Sequence, residues 1–244
     1  MRVAQGIEML ELKLAHTQIN PTVVYDADGY WLIDTGLPGS RNAIESLITE
    51  AGLDAGKLQG IILTHQDIDH VGGLPQWLDA PGGREIPVYA HLDDRGAIDG
   101  TAPMIKVGPE RRASLLESMP EPVRQSFLNV FSGEHTNVTS VLSGGETLPF
   151  GGGLAVIPTP GHTPGHVSLY HVPSKTLIAG DALTAADGVL NGPNPPFTPD
   201  MPKALRSLRN LAPFEIEAVI CYHGGLISGK EVQQRIAEIV SSEG

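Results

Sequence analysis

The chain has 244 residues, 41% of them hydrophobic and 18% charged, with 28 acidic against 16 basic side chains and a formal net charge of -12. A chain of this length buries a substantial core without disulfide support, and its single cysteine, Cys221, excludes an intrachain bridge and fits a reducing compartment. The acidic balance repels phosphate backbones and anionic lipid, which argues against nucleic acid and membrane surfaces as partners and leaves a small molecule as the expected one.

Met1 to Glu8 lack the basic start and apolar run of a signal peptide, and no stretch approaches a membrane span, so a cytoplasmic protein is expected. Ile7 to Leu14 mixes apolar and charged residues in the manner of an edge strand. Thr22 to Tyr25 and Tyr30 to Ile33 flank Asp26-Ala27-Asp28-Gly29, a hairpin signal, and the second strand runs into the turn Asp34-Thr35-Gly36. Ser40 is placed to cap a helix over Arg41 to Ala51. The apolar run Leu58 to Leu63 reads as a buried strand, followed by a short helix at Gln76 to Asp79 and a strand at Pro87 to Ala90.

From about residue 92 to 136 the character changes to charged and small residues, with helical periodicity in Arg111 to Met119 and Glu121 to Val130. Too short to bury its own core, this stretch is expected to be a helical insertion covering a site mouth, within a single domain spanning 1–244. Its basic residues Lys106, Arg111, Arg112 and Arg124 could attract an anionic substrate, but read more simply as a solvated helix face. Strand signals resume at Val138 to Leu142, Glu146 to Pro149 and Leu154 to Pro158. Val167 to His171 pairs with Thr176 to Ala179 across Pro173-Ser174-Lys175. A proline-rich loop, Asn191 to Pro199, leads to a helix over Pro202 to Asn210 that starts near Asp200 or Met201. A strand at Ala218 to Cys221 and a helix at Gly229 to Val240 close the chain. Strands and helices on both sides of the insertion suggest two similar halves packed together.

The chemistry concentrates where strands stop. Thr64-His65-Gln66-Asp67-Ile68-Asp69-His70 holds four side chains able to bind divalent transition metals. His65 and Asp67, two apart at a strand end, can point the same way, and Asp69 with His70 can serve a second ion nearby. Further along, Thr159-Pro160-Gly161-His162-Thr163-Pro164-Gly165-His166 offers two histidines, either of which could be a ligand. Asp181 follows Leu177-Ile178-Ala179-Gly180, and His223 follows Ala218 to Tyr222. Taken singly these are ordinary turn residues. Four separate strands ending in a ligand-type side chain are poorly explained by chance. No Gly-X-Ser-X-Gly elbow is present and Cys221 has no evident activating partner, so a side-chain nucleophile is not expected.

These blocks resemble the metallo-β-lactamase fold superfamily, whose signature is His-X-His-X-Asp-His, then Pro-Gly-His-Thr-X-Gly-His, Gly-Asp, and a His near the C-terminus. All four occur in that order, and Asp34-Thr35-Gly36 matches the family's early turn, so the resemblance spans roughly residues 7 to 240 without the insertion. It implies a four-layer α/β/β/α sandwich. It implies a first metal held by His65, Asp67 and His162, a second held by Asp69, His70 and His223, Asp181 bridging them, and His166 supporting its neighbours through a hydrogen bond. The activity implied is attack by a metal-bridging hydroxide on a small-molecule ester, thioester or lactone, with Asp69 managing the proton. The bridging aspartate resembles glyoxalase II and lactonase relatives more than true β-lactamases, although the residues after His223 are too few for the helical domain of glyoxalase II. One departure stands out: the family usually has His where this chain has Asp67. Zinc is the default metal, and the extra carboxylate shifts preference toward iron or manganese. It also resembles the di-iron relatives, whose oxidoreductase chemistry needs a separate electron-transfer partner.

Overall fold

The computed structural model describes residues 1–14 and 17–241, and most of its strands fall into two large sheets. The first runs in the order Arg2–Ala4, Ile7–Met9, Thr22–Tyr25, Tyr30–Ile33, Leu58–Ile62, Val88–His91, Ser140–Leu142. The second runs Thr147–Leu148, Leu154–Pro158, Val167–His171, Thr176–Ile178, Ala218–Cys221, Gly225–Ser228. Val167–His171 and Ala218–Cys221 are buried along their whole length. Covered on both faces, Ala218–Cys221 carries a continuous apolar run in place of alternation, whereas Val167–His171 buries Ser168 and His171 through hydrogen bonds to Ala179 O, Ser174 Oγ and Gly151 O.

Three apolar cores set the layers. Between the sheets, Ile7, Val24, Ile33 and Ile62 pack against Leu154, Val156, Leu169 and Ile220. On the far side of the first sheet, Val23, Leu32 and Ile61 meet Ile44 and Ile48 of the helix Arg41–Glu50, together with Trp77 and Phe127. On the far side of the second, Ala155, Leu177 and Val219 meet Leu208 and the Ile236 and Ile239 face of the helix Val232–Ser241. Helix, sheet, sheet, helix is the α/β/β/α sandwich expected from the sequence.

Tyr30–Ile33, Leu58–Ile62, Val88–His91 and Ser140–Leu142 pair successively in parallel. Parallel neighbours need crossover connections. The stretch read as an insertion is one of them: helices Leu92–Asp99, Pro109–Ser118 and Glu121–Val130 all lie between the last two of these strands. Phe127, Val130 and Phe131 from this crossover belong to the core of the first sheet.

Several local expectations shift. Ile7–Met9 is not an edge strand, because Arg2–Ala4 pairs outside it. The charge that suggested an edge, Glu8, is buried and accepts a hydrogen bond from Arg2 Nε at 2.9 Å. Ser40 precedes its helix without capping it, whereas Asp200 accepts from Lys203 N and does cap. The last helix begins at Val232 and not at Gly229, whose φ of +131° is incompatible with helix. The strand Gly225–Ser228 and the hairpin Thr184–Ala186 with Val189–Asn191 are too short and too glycine-rich or polar to announce themselves. No helix among the described residues is long and apolar enough to cross a membrane.

Candidate metal centre

Parallel strands aim their carboxyl ends the same way, so the loops leaving them gather at one edge of the sandwich. Asp34 follows Tyr30–Ile33, His65 follows Leu58–Ile62, Asp181 follows Thr176–Ile178 and His223 follows Ala218–Cys221. His162 lies in the turn between Leu154–Pro158 and Val167–His171. The short helix Ile68–Val71 starts directly after Asp67, which places Asp69 and His70 on its first turn. Val167 N donates to Thr64 O at 2.9 Å and ties the two sheets together beside the site.

All seven expected ligands converge, in two groups. His65, Asp67, His162 and Asp181 offer ligand atoms within 4.8 Å of one another, as do Asp69, His70 and His223. His162 Nε2 lies 2.9 Å from Asp67 Oδ2, and His65 Nε2 lies 3.4 Å from the same oxygen. His223 Nε2 lies 3.1 Å from Asp69 Oδ2. Asp181 faces both groups, 3.1 Å from His162 Nε2, 3.2 Å from His70 Nε2 and 3.5 Å from His223 Nε2.

The surrounding hydrogen bonds fix which nitrogen each ring presents. Thr64 Oγ1 donates to Asp34 Oδ2, which leaves it free to accept from His65 Nδ1 at 3.0 Å. His70 Nδ1 donates to Asp34 Oδ2 at 2.8 Å. Thr198 Oγ1 donates to Asn194 O and accepts from His162 Nδ1. With each Nδ1 engaged as a donor, the Nε2 lone pairs of His65, His70 and His162 all point inward, as a metal ligand requires. Asp181 is fixed differently: its backbone N donates to His166 Nε2 at 2.9 Å, and His166 Nδ1 donates to Thr159 Oγ1.

The donor set fits a cation. His65 Nε2, His70 Nε2 and Asp181 Oδ1 are buried with no hydrogen-bond partner among the described residues. Buried polar atoms are otherwise nearly always paired, and three unpaired ones aimed at each other mark a place built for an ion. The electrostatics agree. Burial and the charge of His70 push His65 down in pKa. Burial alone would raise Asp67 and Asp181, but His65 and His162 around the first, and His70, His162 and His223 around the second, hold both below the usual carboxylate range. His223 works against its own burial and, beside Asp181 and Asp69, rises to about 9. A bound cation would satisfy the carboxylates that otherwise charge the His223 imidazole.

Two residues of the site, Asp94 and Gln66, carry no sequence signal, and a third, Lys106, sits elsewhere than its simpler reading places it. Asp94, fully buried, accepts from Gln66 N at 3.0 Å, Gln66 Nε2 at 2.9 Å, Thr163 Oγ1 at 2.6 Å and Gly165 N at 2.9 Å. It therefore locks the His65–His70 segment to the loop bearing His162. Gln66 accepts in turn from Ile105 N at 2.9 Å. Lys106, expected on a solvated helix face, instead reaches inward from the loop between two crossover helices, with Nζ 2.6 Å from Asp67 Oδ2. Arg111 donates to Lys106 O, and both line a cavity of about 420 Å³ that opens over Asp67, Asp69, Asp181 and His223. Its other walls include Leu14, Ile19, Leu37, Ile68, Val107 and Phe197. Tyr222 stays out of it: its OH donates to Asp69 O and its ring stacks on His70 at 3.8 Å. Cys221 is a core residue whose thiol pKa is raised by burial, as inert as the sequence suggested.

Gly180 shows how close the packing is. Its φ is +55°, and a Cβ there would sit 2.7 Å from His166 Nε2, the atom that accepts from Asp181 N. Gly180→Ala is expected to displace His166 and with it Asp181, and to weaken metal binding by roughly 10- to 100-fold, the usual cost of disturbing a ligand's support. A chelator-competition titration reads this directly, and unchanged affinity would refute it.

Comparison with known proteins gives one consistent answer. Residues 15–223 match the family model described as the metallo-beta-lactamase superfamily. A probable metallo-hydrolase of Bacillus subtilis, YflN, is 27% identical across 98% of this chain and 91% of its own. A hydroxyacylglutathione hydrolase of Gloeobacter violaceus is 32% identical over 60% of this chain but only 41% of its own. The crystal structure of a metallo-beta-lactamase family protein from Thermus thermophilus superposes with a TM-score of 0.69 at 27% identity, covering 99% of this chain and 80% of that one.

Proposed function

This chain belongs to the metallo-beta-lactamase superfamily, and on that premise we propose that it is a dinuclear metallohydrolase acting on a small-molecule ester, thioester or lactone. The observation that carries this reading is the convergence of two ligand groups on one carboxylate, Asp181, with buried atoms left unpaired between them. His65, Asp67 and His162 would hold one ion, Asp69, His70 and His223 the other, and Asp181 would touch both. When bound, two divalent ions would supply Lewis acidity toward an acyl oxygen and acidify water at neutral pH.

The remaining work falls to side chains. Asp69 opens onto the cavity, and His70 and His223 outweigh its burial and keep it below the usual carboxylate range, so it enters the reaction as a carboxylate. It would accept the proton of the attacking water and return it to the oxygen or sulfur that leaves as the acyl C–O or C–S bond breaks. Ile19, Leu37, Ile68 and Phe197 exclude water and receive the apolar part of the substrate. Lys106 and Arg111 are the cations of a site otherwise rich in carboxylates, and they favour a substrate bearing a negative charge. Zinc is the default metal, with iron or manganese favoured more than usual by the carboxylate of Asp67.

The test is elemental analysis of protein purified without added metal, followed by hydrolysis of lactones, thioesters, β-lactams and phosphodiesters before and after chelation. Two ions per chain are expected, with hydrolysis of a carboxylic ester or thioester that chelation abolishes and metal restores. Ester hydrolysis surviving complete chelation would overturn the reading. Bound iron with no hydrolysis across the panel would favour a di-iron oxidoreductase served by a separate electron carrier, a role to which Asp67 also lends itself.

A further inference from the structure

Lys106 grips the ligand atoms that a first metal ion needs. Its Nζ lies 2.6 Å from Asp67 Oδ2 and 2.6 Å from His162 Nε2, and those two acceptors are 2.9 Å from each other. His162 turns Nδ1 toward Thr198 and Nε2 toward Lys106, and an ammonium 2.6 Å away can only donate, so Nε2 is the unprotonated nitrogen and its lone pair is what Lys106 takes. This is a built placement. The Lys106 side chain is 14% exposed. The backbone beside it is clamped, since Ile105 N donates to Gln66 Oε1 and Gln66 is held by Asp94. Consecutive residues of the ligand segment, Gln66 and Asp67, therefore hold consecutive residues of the crossover, Ile105 and Lys106. Asp69 in the second group is ion-paired instead to the imidazoles of His70 and His223. An unprotonated imidazole nitrogen has one lone pair, so His162 Nε2 cannot serve Lys106 and a metal ion at once, and the two cations repel at such range.

We propose that Lys106 is an internal competitor for the first metal position: a tethered cation that neutralises Asp67, lowers the affinity of that position below that of the second, and leaves His162 when an ion binds. The crossover segment that covers the site is in this way coupled to metal occupancy, and filling is ordered, second position first. The proposal rests on the reading of His65, Asp67 and His162 as metal ligands.

The experiment is a zinc(II) titration of chelator-treated wild type and Lys106→Met against a chromophoric chelator, with melting curves of each protein with and without zinc. In the variant the first position should bind zinc roughly 10- to 100-fold more tightly, the scale set by a hydrogen bond to a charged group, while the second position is unchanged. Without zinc the variant should melt lower than wild type, because Asp67 has lost its cation, and it should gain more in Tm when zinc is added. Lys106→Gln, which keeps an uncharged donor, should move affinity in the same direction and guards against misfolding of the methionine variant. Equal or weaker first-position binding in folded variants overturns the proposal. Fewer than two ions bound by wild type and variants alike overturns the dinuclear reading beneath it.

Discussion

Asp181→Ala is expected to lower hydrolysis of a responsive ester by at least about a hundredfold and to reduce the metal content of the protein. The side chain reaches His162 in one ligand group and His70 and His223 in the other, at 3.1 to 3.5 Å. Without it, each ion would lose a ligand and the pair would lose the group that holds them together. The scaffold should survive, because the anchor to His166 runs through the backbone N of residue 181 and not through the carboxylate. A near-native circular dichroism spectrum would confirm that the loss is chemical. Asp181→Asn keeps the volume and one acceptor, so its defect should be smaller. Wild-type turnover with two ions still bound to the alanine variant would sink the assignment of this residue.

Asp94→Ala acts by a different route. Four donors converge on this carboxylate from the two ligand-bearing loops. Truncation leaves several of them buried without an acceptor, at about 1–3 kcal/mol each. A net loss of about 3 kcal/mol would lower Tm by roughly 6–12 °C for a chain of this size. Metal affinity should fall as well, because the His65–His70 segment and the His162 loop would no longer share a fixed partner. Asp94→Asn preserves shape and one acceptor and should recover part of both losses. A melting temperature within a degree or two of wild type would show that the two loops are held by something else.

The legibility of the site follows from sequence distance. His65, Asp181 and His223 each stand within a few residues of a short apolar strand, so the chemical signal and the structural signal fall in one window. The two-sheet fold is legible for the same reason, since strands covered on both faces such as Leu154–Pro158 and Ala218–Cys221 read as apolar runs. Asp94 is different. It stands in Leu92-Asp93-Asp94-Arg95, beside exposed residues, and its partners lie 28, 69 and 71 positions away. Nothing local separates such an aspartate from a solvated one. Lys106 fails the same test: Arg124, which shares its stretch and its charge, does pair with Glu121 on a helix surface as expected. Whether a cation turns inward depends on Gln66 holding Ile105, a contact across 39 residues.

The crossover between Val88–His91 and Ser140–Leu142 has a practical consequence for anyone wishing to re-engineer this protein. The cover of the cavity is not a detachable cassette. Its ends are two hydrogen-bonded neighbours of the first sheet, and its interior supplies Asp94 and Lys106 to the centre. Recombination with a lid from another member of the superfamily would remove the brace and the competing cation together, and would cut through a core that contains Phe127 and Val130. A single substitution at Phe197 avoids that problem, since this exposed side chain lines the cavity without taking part in the core or in the Gln66–Asp94 bracing. Laboratory evolution of substrate range in this molecule should therefore accumulate point changes on the cavity wall rather than exchanged loops.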